Sequence, residues 1–154
     1  MAVHYYLVER LPTVEEYRSL CTAVGWQEVM NFAVADAALA NSIYGVVAMS
    51  GEHVVGMGRI VGDGAIYYYI QDIAVHPDYQ HNGIGKSILD RIFSFLLSHA
   101  PERAFIGLFA AEGTVPFYER YGLKDYAPAM TGMFTVVERN DPGEGMNERR
   151  DRMF

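Results

Sequence analysis

The fold turns on the stretch Ile70-Gln71-Asp72-Ile73-Ala74-Val75-His76-Pro77-Asp78-Tyr79-Gln80-His81-Asn82-Gly83-Ile84-Gly85-Lys86. It runs from an apolar strand-like segment through His-Pro into a polar loop, then over two glycines into a segment where Ile84, Ile88, Ile92 and Leu96 recur every four residues, with Leu89 and Phe93 alongside. That spacing puts the apolar side chains on one helical face, and Pro101 follows closely as a stop. The first amides of a helix have no acceptor within it and lie at the positive end of its dipole. Two glycines at that point let an anion approach bare N–H groups, so the stretch is built as a phosphate cradle.

Spacing separates the phosphate-binding patterns. A Walker A loop requires glycine five positions before Gly85-Lys86-Ser87, and Gln80 stands there. A dinucleotide fingerprint requires a third glycine three residues after Gly85, and Ile88 stands there. The plain alternative is a glycine-containing helix start that binds nothing.

Outward from the loop, Ala65 to Val75 reads as a strand. Before it, Ile43 to Ser50, a turn at Gly51-Glu52 and His53 to Val61 read as a hairpin, with Gly62-Asp63-Gly64 as a second tight turn. These segments make a three-strand antiparallel meander. Val3 to Val8 reads as a first strand. Thr13 with Glu16 forms a capping-box pattern for a helix to Val24, stopped by Gly25. A second helix is expected from Gln27 to Leu39, where Val29, Phe32, Ala33 and Ala37 share a side. Downstream, Ala104 to Ala110 reads as a short strand, Val115 to Tyr121 as a short helix closed by Gly122, and Thr131 to Val137 as a last strand. Asp, Glu, Arg and Gly dominate thereafter, which divides the chain into a single domain over 1–138 and a charged tail over 139–154, loose or docking a partner.

Composition bounds the function. The 154 residues are 51% hydrophobic and 20% charged, enough to bury a core without staples. Twelve Lys and Arg against nineteen Asp and Glu leave a net charge of −7, whereas a nucleic-acid surface would be basic. Nucleic acid is not an expected partner. The single cysteine, Cys21, has no internal disulfide partner and reads as a buried, inert thiol, and no Cys/His spacing resembles a zinc site. The first thirty residues lack signal-peptide character, and no run approaches the ~18 apolar residues that span a bilayer. A cytoplasmic protein without membrane contact is expected.

Gln80-His81-Asn82-Gly83-Ile84-Gly85 resembles the Gln/Arg-x-x-Gly-x-Gly/Ala pyrophosphate loop of the GCN5-related N-acetyltransferase (GNAT) superfamily, and the preceding Ile-Ala-Val-His-Pro is similar to its strand end. Pro116-Phe117-Tyr118-Glu119-Arg120-Tyr121-Gly122-Leu123 resembles the family's second signature, a short helix with a tyrosine ending in Gly-Phe or Gly-Leu. With the order of elements, the resemblance covers Tyr6 to Val137. It implies an α+β (mixed α/β) fold whose mostly antiparallel sheet is flanked by helices and splayed in a V between the Ala65–Val75 and Ala104–Ala110 segments. Acetyl-CoA would lie in the V as cosubstrate. Its pyrophosphate would rest on the loop Gln80, His81, Asn82, Gly83, Ile84, Gly85, Lys86 and Ser87, its pantetheine arm along Ile73, Ala74 and Val75, with Phe117 also on the cofactor side. No metal is expected.

The implied reaction is direct attack of a primary amine, on a small molecule or peptide, through a tetrahedral intermediate. Tyr118 is the expected acid for the departing thiolate, because a phenol's ordinary pKa of ~10 lies close to that of an alkyl thiol. A backbone N–H near Ile73 would hold the carbonyl oxygen. For the base, Gln71 replaces one carboxylate of the Glu-Asp-Leu found in relatives resembling polyamine acetyltransferases. Asp72, Glu112 and plain water remain open. Strict alternation would put Asp72 and Ile73 on opposite faces, unless a bulge re-aims one of them. Trp26 either stacks on the substrate or packs as a core indole. The alternatives to catalysis are a non-catalytic acetyl-CoA sensor or interaction module of the same fold, and a P-loop nucleotide hydrolase, which Gln80 weakens. The resemblance also implies a homodimer, with Thr131 to Val137 as an open edge.

Overall fold

The structure, a computed structural model, describes residues 2–137. The charged tail expected over 139–154 lies outside them. Contacts group the chain into two compact units, Met1–Leu108 and Phe109–Phe154.

The first unit holds a five-stranded sheet in chain order: β1 (Tyr6–Val8), β2 (Tyr44–Ser50), β3 (His53–Gly62), β4 (Tyr67–Val75) and β5 (Phe105–Gly107). Neighbouring strands are antiparallel except β4 and β5, which run parallel. A parallel step needs a long crossover. Helix α3 (Ile84–His99) provides it.

The capping box at Thr13 is present in full: Glu16 N donates to Thr13 Oγ1 at 3.2 Å, and Thr13 N donates to Glu16 Oε2 at 2.8 Å. It opens α1 (Val14–Ala23), which ends before Gly25 at φ +86°. The continuous helix expected from Gln27 to Leu39 is not formed. Trp26 O instead accepts from Val29 N and Met30 N in a turn, and Asn31 Oδ1 takes the Ala33 amide at 3.2 Å to start a 3-10 turn over Phe32–Val34. Such local side-chain bonds compete with a helix, so only α2 (Ala35–Ala40) is α-helical. β4 likewise starts at Tyr67 rather than Ala65, because Asp63 Oδ1 accepts from the amides of Ala65, Ile66 and Tyr67.

Two apolar layers cover the sheet. On one face, Ile84, Ile88, Leu89, Ile92 and Leu96 of α3 are buried. Their close approach requires Gly58, where a Cβ would lie 2.7–2.8 Å from carbons of Ile73, Ile88 and Ile92. The other cluster joins Tyr17, Leu20 and Cys21 of α1 and Ala35 and Leu39 of α2 to Val47, Met49, Met57 and Ala74.

In the second unit, α4 (Val115–Glu119) is shorter than expected, ending before Tyr121. Thr131 to Val137 forms no strand. Its residues are exposed, with local contacts to one ring: Phe134 meets Phe109 edge-on at 6.0 Å, and a Cβ at Gly132 would lie 2.6 Å from the Phe109 ring. A β-branched run marks a surface to bury, and a ladder needs in addition a partner backbone in register.

Candidate functional site

β4 is paired on both sides only at its start. The parallel ladder to β5 consists of Tyr67↔Phe105, Tyr68↔Ile106 and Tyr69↔Gly107, and there β5 ends, while β4 continues to Val75 still paired with β3. From Ile70 to Val75 the side of β4 away from β3 therefore joins no strand among the described residues. This is the expected splay, and peptide groups on such an edge can pair with a linear amide-bearing ligand.

Along the same segment, Met57 pairs with Ala74 and Arg59 with Gln71, so Asp72 and Ile73 together stand opposite Gly58. Two residues against one is a β-bulge, and Asp72 takes it up at φ +56°. The bulge shifts the register by one residue and leaves the two side chains on opposite faces, as alternation does. Ile73 Cδ1 lies with Ile88 and Ile92 of α3 over Gly58, while Asp72 reaches the α1 side, where Tyr17 Oη donates to its Oδ2 at 2.8 Å and Arg59 Nε donates to the same oxygen at 2.6 Å. The Asp72 and Arg59 side chains are 12% and 14% exposed. Burial works against the Arg59 charge, but the bond to and attraction of Asp72 outweigh it and raise the guanidinium pKa. Burial, followed by the Asp72 charge, pushes the Tyr17 phenol well above its ordinary range. Cys21 is fully buried, and burial lifts its thiol to about 11, as an inert thiol should be.

The loop leaves β4 at His76, whose amide donates to Val55 O at 2.8 Å and whose Nδ1 accepts from Asp78 N. A 3-10 turn over Pro77–Tyr79 follows. Gln80 Nε2 donates back to Val75 O at 3.1 Å, and Asn82 Nδ2 donates to Tyr79 O and Gln80 O, so both amide side chains brace the loop. His81 at φ +63° and Gly83 at φ +78° turn the chain into α3, which Gly83 opens with no side-chain cap. Ile84, 1% exposed, anchors the first turn in the core, so only its backbone is available to a ligand. Lys86 pairs with Asp90 at 2.8 Å. Ser87 Oγ lies 2.7 Å from Tyr5 Oη, a partner that nothing near the motif announces because it comes from 82 residues upstream. An uncapped helix start behind a left-handed glycine, with only Tyr5 Oη at 3.9 Å from a notional Cβ, suits an anion such as a pyrophosphate.

Glu112, Phe117 and Tyr118 belong to the second unit. Glu112 is exposed beside Gly113, which sits at φ +79°. Thr114 O accepts from Phe117 N and Tyr118 N, and Pro116 occupies the first turn, where its missing N–H costs nothing. The Phe117 and Tyr118 rings meet edge-on at 5.2 Å. Burial raises the Tyr118 phenol pKa, which keeps its proton in place at neutral pH. Trp26 is half-buried and packs against the α1–α2 cluster.

Sequence reasoning missed Arg59 and Tyr17 as well as Tyr5. Each reaches its partner through tertiary packing alone, across 13, 55 and 82 residues.

The profile of the acetyltransferase (GNAT) domain family matches residues 15–131. A soybean (Glycine max) protein named histone acetyltransferase TAP1 is 30% identical over 132 residues, covering 79% of this chain. The chain spans 56% of that relative's own length. Among solved structures, the GNAT family acetyltransferase SP0256 of Streptococcus pneumoniae superposes with a TM-score of 0.72 at 29% identity, over 88% of this chain and 100% of that one. A GNAT family acetyltransferase of Brucella melitensis in complex with acetyl-CoA gives a TM-score of 0.60 at 19% identity, over 80% and 85% of the two chains, a likeness of fold.

Proposed function

The chain belongs to the GNAT acetyltransferase family, and from that premise we propose that it uses acetyl-CoA to acetylate a primary amine of a small molecule or peptide. The observation that carries this reading is the continuous run from the free, bulged edge of β4 through a braced loop to the uncapped glycine start of α3. Acetyl-CoA supplies an activated acetyl thioester, whose transfer to an amine releases the coenzyme A thiolate. In this reading the amides from His81 to Lys86 bind the pyrophosphate, with Gln80 and Asn82 holding their loop in shape. Ile73, Ala74 and Val75 offer the free edge of β4 to the pantetheine arm. The Ile73 amide polarises the acetyl carbonyl, a fixed dipole placed where charge develops. Tyr118, kept protonated by burial, gives its proton to the thiolate.

Glu112 is the exposed carboxylate proposed on the acceptor side. The proton that the attacking amine loses goes to Glu112, to water or to Asp72, and Asp72 is bound to Arg59 and Tyr17. A lysine peptide belongs among the acceptors to test, since the soybean relative is named a histone acetyltransferase. A homodimer in the cytoplasm completes the proposal. The free thiol of Cys21 fits a reducing compartment, and the exposed Met130, Met133, Phe134 and Val137 offer apolar area for a second copy.

The test is calorimetry with acetyl-CoA and with ATP, followed by thiol release across a panel of amines. Acetyl-CoA binding with amine-dependent thiol release is expected. Binding without release from any amine would favour the sensor module, and binding of ATP alone would overturn the family's chemistry for this chain. Sedimentation at micromolar concentration checks the dimer, and a monomer throughout would remove it.

A further inference from the structure

Asp72 is a non-glycine residue in the left-handed region, a conformation that persists only when its surroundings hold it. What surrounds it is a clamp drawn from three elements. Arg59 stands on β3, in register with Gln71 rather than Asp72, and its guanidinium reaches along the strand to give Nε to Asp72 Oδ2 at 2.6 Å. Its Nη1 is meanwhile 3.1 Å from Ser42 Oγ and 3.4 Å from Ala38 O, which ties the other side of the guanidinium to the end of α2 and the lead into β2. Tyr17 of α1 donates to the same Oδ2, and its ring faces the guanidinium carbon at 6.0 Å. Two donors converging on one oxygen fix the carboxylate, and with it the turn of backbone that bears it.

The alternative backbone is well defined. Without the bulge, the strand beyond it would slip by one residue, and Asp72 and Ile73 would exchange faces, the carboxylate turning toward α3. The α3 face is built of Ile84, Ile88, Ile92 and the bare backbone of Gly56 and Gly58, with no polar group for a carboxylate. The clamp and the apolar layer therefore favour the same arrangement from opposite faces of the sheet.

We propose that Arg59 and Tyr17 are positioning residues: through their bonds to Asp72 they hold the β4 bulge in its left-handed turn and so fix the Ile73 amide at the free edge of β4. The proposal deepens the acetyltransferase reading and rests on it only for its kinetic consequence. It gives Asp72 a geometric part. A carboxylate whose part is geometric can be replaced together with its partner, whereas one that accepts a proton cannot.

The experiment uses the full chain and three variants: Arg59→Gln, Asp72→Asn and the double variant, in which two neutral amides can bond to each other with no charge left unpaired. In the protein without ligand, the Cα and Cβ chemical shifts of residue 72 report whether its backbone is left-handed, and the Ile73 amide shift reports the edge. Each single variant is expected to move both signals and to lower kcat by roughly tenfold or more, with the KM for acetyl-CoA nearly unchanged because the α3 loop is untouched. The double variant is expected to regain the wild-type shifts and most of the lost kcat. Tyr17→Phe, which removes only a hydroxyl, covers the case of a poorly folding single variant and is expected to move the same signals less. Wild-type shifts at residues 72 and 73 in Arg59→Gln and Tyr17→Phe would overturn the clamp. A double variant with restored shifts but the kcat of Asp72→Asn would overturn the geometric part and make Asp72 the proton acceptor. A wild-type protein releasing no thiol would count against the proposed function alone, since the shifts test the clamp without turnover.

Discussion

Gly58 and Gly83 are the same residue required for different physical reasons. At Gly58, in the middle of β3, the backbone is ordinary and space is lacking: a Cβ would meet Ile73, Ile88 and Ile92 at 2.7–2.8 Å. At Gly83, ahead of α3, the nearest such atom is Tyr5 Oη at 3.9 Å, and it is the φ of +78° that demands glycine. The first glycine serves the fold, by letting a helix lie close on the sheet. The second opens α3 without a side-chain cap, the feature on which the proposed phosphate site rests. A glycine is thus evidence of function only once packing has been ruled out as its reason.

The largest effect expected leaves both glycine regions intact. Tyr118→Phe keeps the ring packed beside Phe117 and removes only the hydroxyl that carries the proton, so stability and acetyl-CoA affinity should hold while the single-turnover rate falls ~10²–10⁴-fold. A wild-type single-turnover rate across the pH range would assign the proton to water.

Next in size is Gly58→Val, which forces two branches into a filled layer. Overpacking of this kind typically costs ~1–3 kcal/mol and occasionally more, and with all three contacts under 3 Å the upper end is expected. Denaturant unfolding measures it, and a loss below ~1 kcal/mol would mean the layer yields more readily than its contacts indicate.

Gly83→Val and Gly83→Asn sharpen the contrast. Asparagine tolerates the left-handed region far better than valine. If conformation is all that matters, Asn should bind acetyl-CoA like the wild type and Val should lose ~1–3 kcal/mol of stability or affinity. If the phosphates need bare backbone, both should lose affinity by roughly tenfold or more while remaining folded. Unchanged calorimetric affinity in a folded Gly83→Val protein would remove the loop from the site.

The smallest effect lies away from both glycines. The bond from Arg10, with the Thr13 amide, holds the Glu16 carboxyl below its ordinary range. Because the folded pKa is the lower one, this contribution is complete above the usual glutamate value of ~4.3 and fades as pH falls through the folded pKa. Glu16→Gln should therefore flatten the acid limb of the stability profile while costing no more than ~1 kcal/mol at pH 7, as a partly exposed pair does. An unaltered acid limb by thermal unfolding would show that the pair is idle.

The two glycines also mark how far the sequence could be read. Gly83 is legible because it sits in a motif with fixed spacing, bounded by a strand pattern and a helix pattern, and the bonds from Gln80 and Asn82 that brace its loop are local. Gly58 reads only as one more residue of a strand, since its reason lies in helix side chains about thirty residues on. The same division runs through the other elements. The capping box, the β2–β3 hairpin and α3 follow from short-range patterns and are present as expected. The helix expected from Gln27 and the strand expected from Thr131 are not, because periodicity states which side chains need burial without stating whether the backbone finds partners.

By itself, then, the sequence determined the meander, the amphipathic α3 and the glycine loop before it, because capping bonds, turns and helix starts act over a few residues. It also pointed to Tyr118 as the proposed acid, through the resemblance carried by the short segment around it. Tertiary structure alone decided that β5 stops at Gly107 and leaves the end of β4 open, that the bulge turns Asp72 toward α1 and Ile73 toward α3, and that Arg59 and Tyr17 close on Asp72. Strand register and a part-buried ion pair with its tyrosine partner depend on groups brought together from 13 to 55 residues apart, a separation no local pattern encodes.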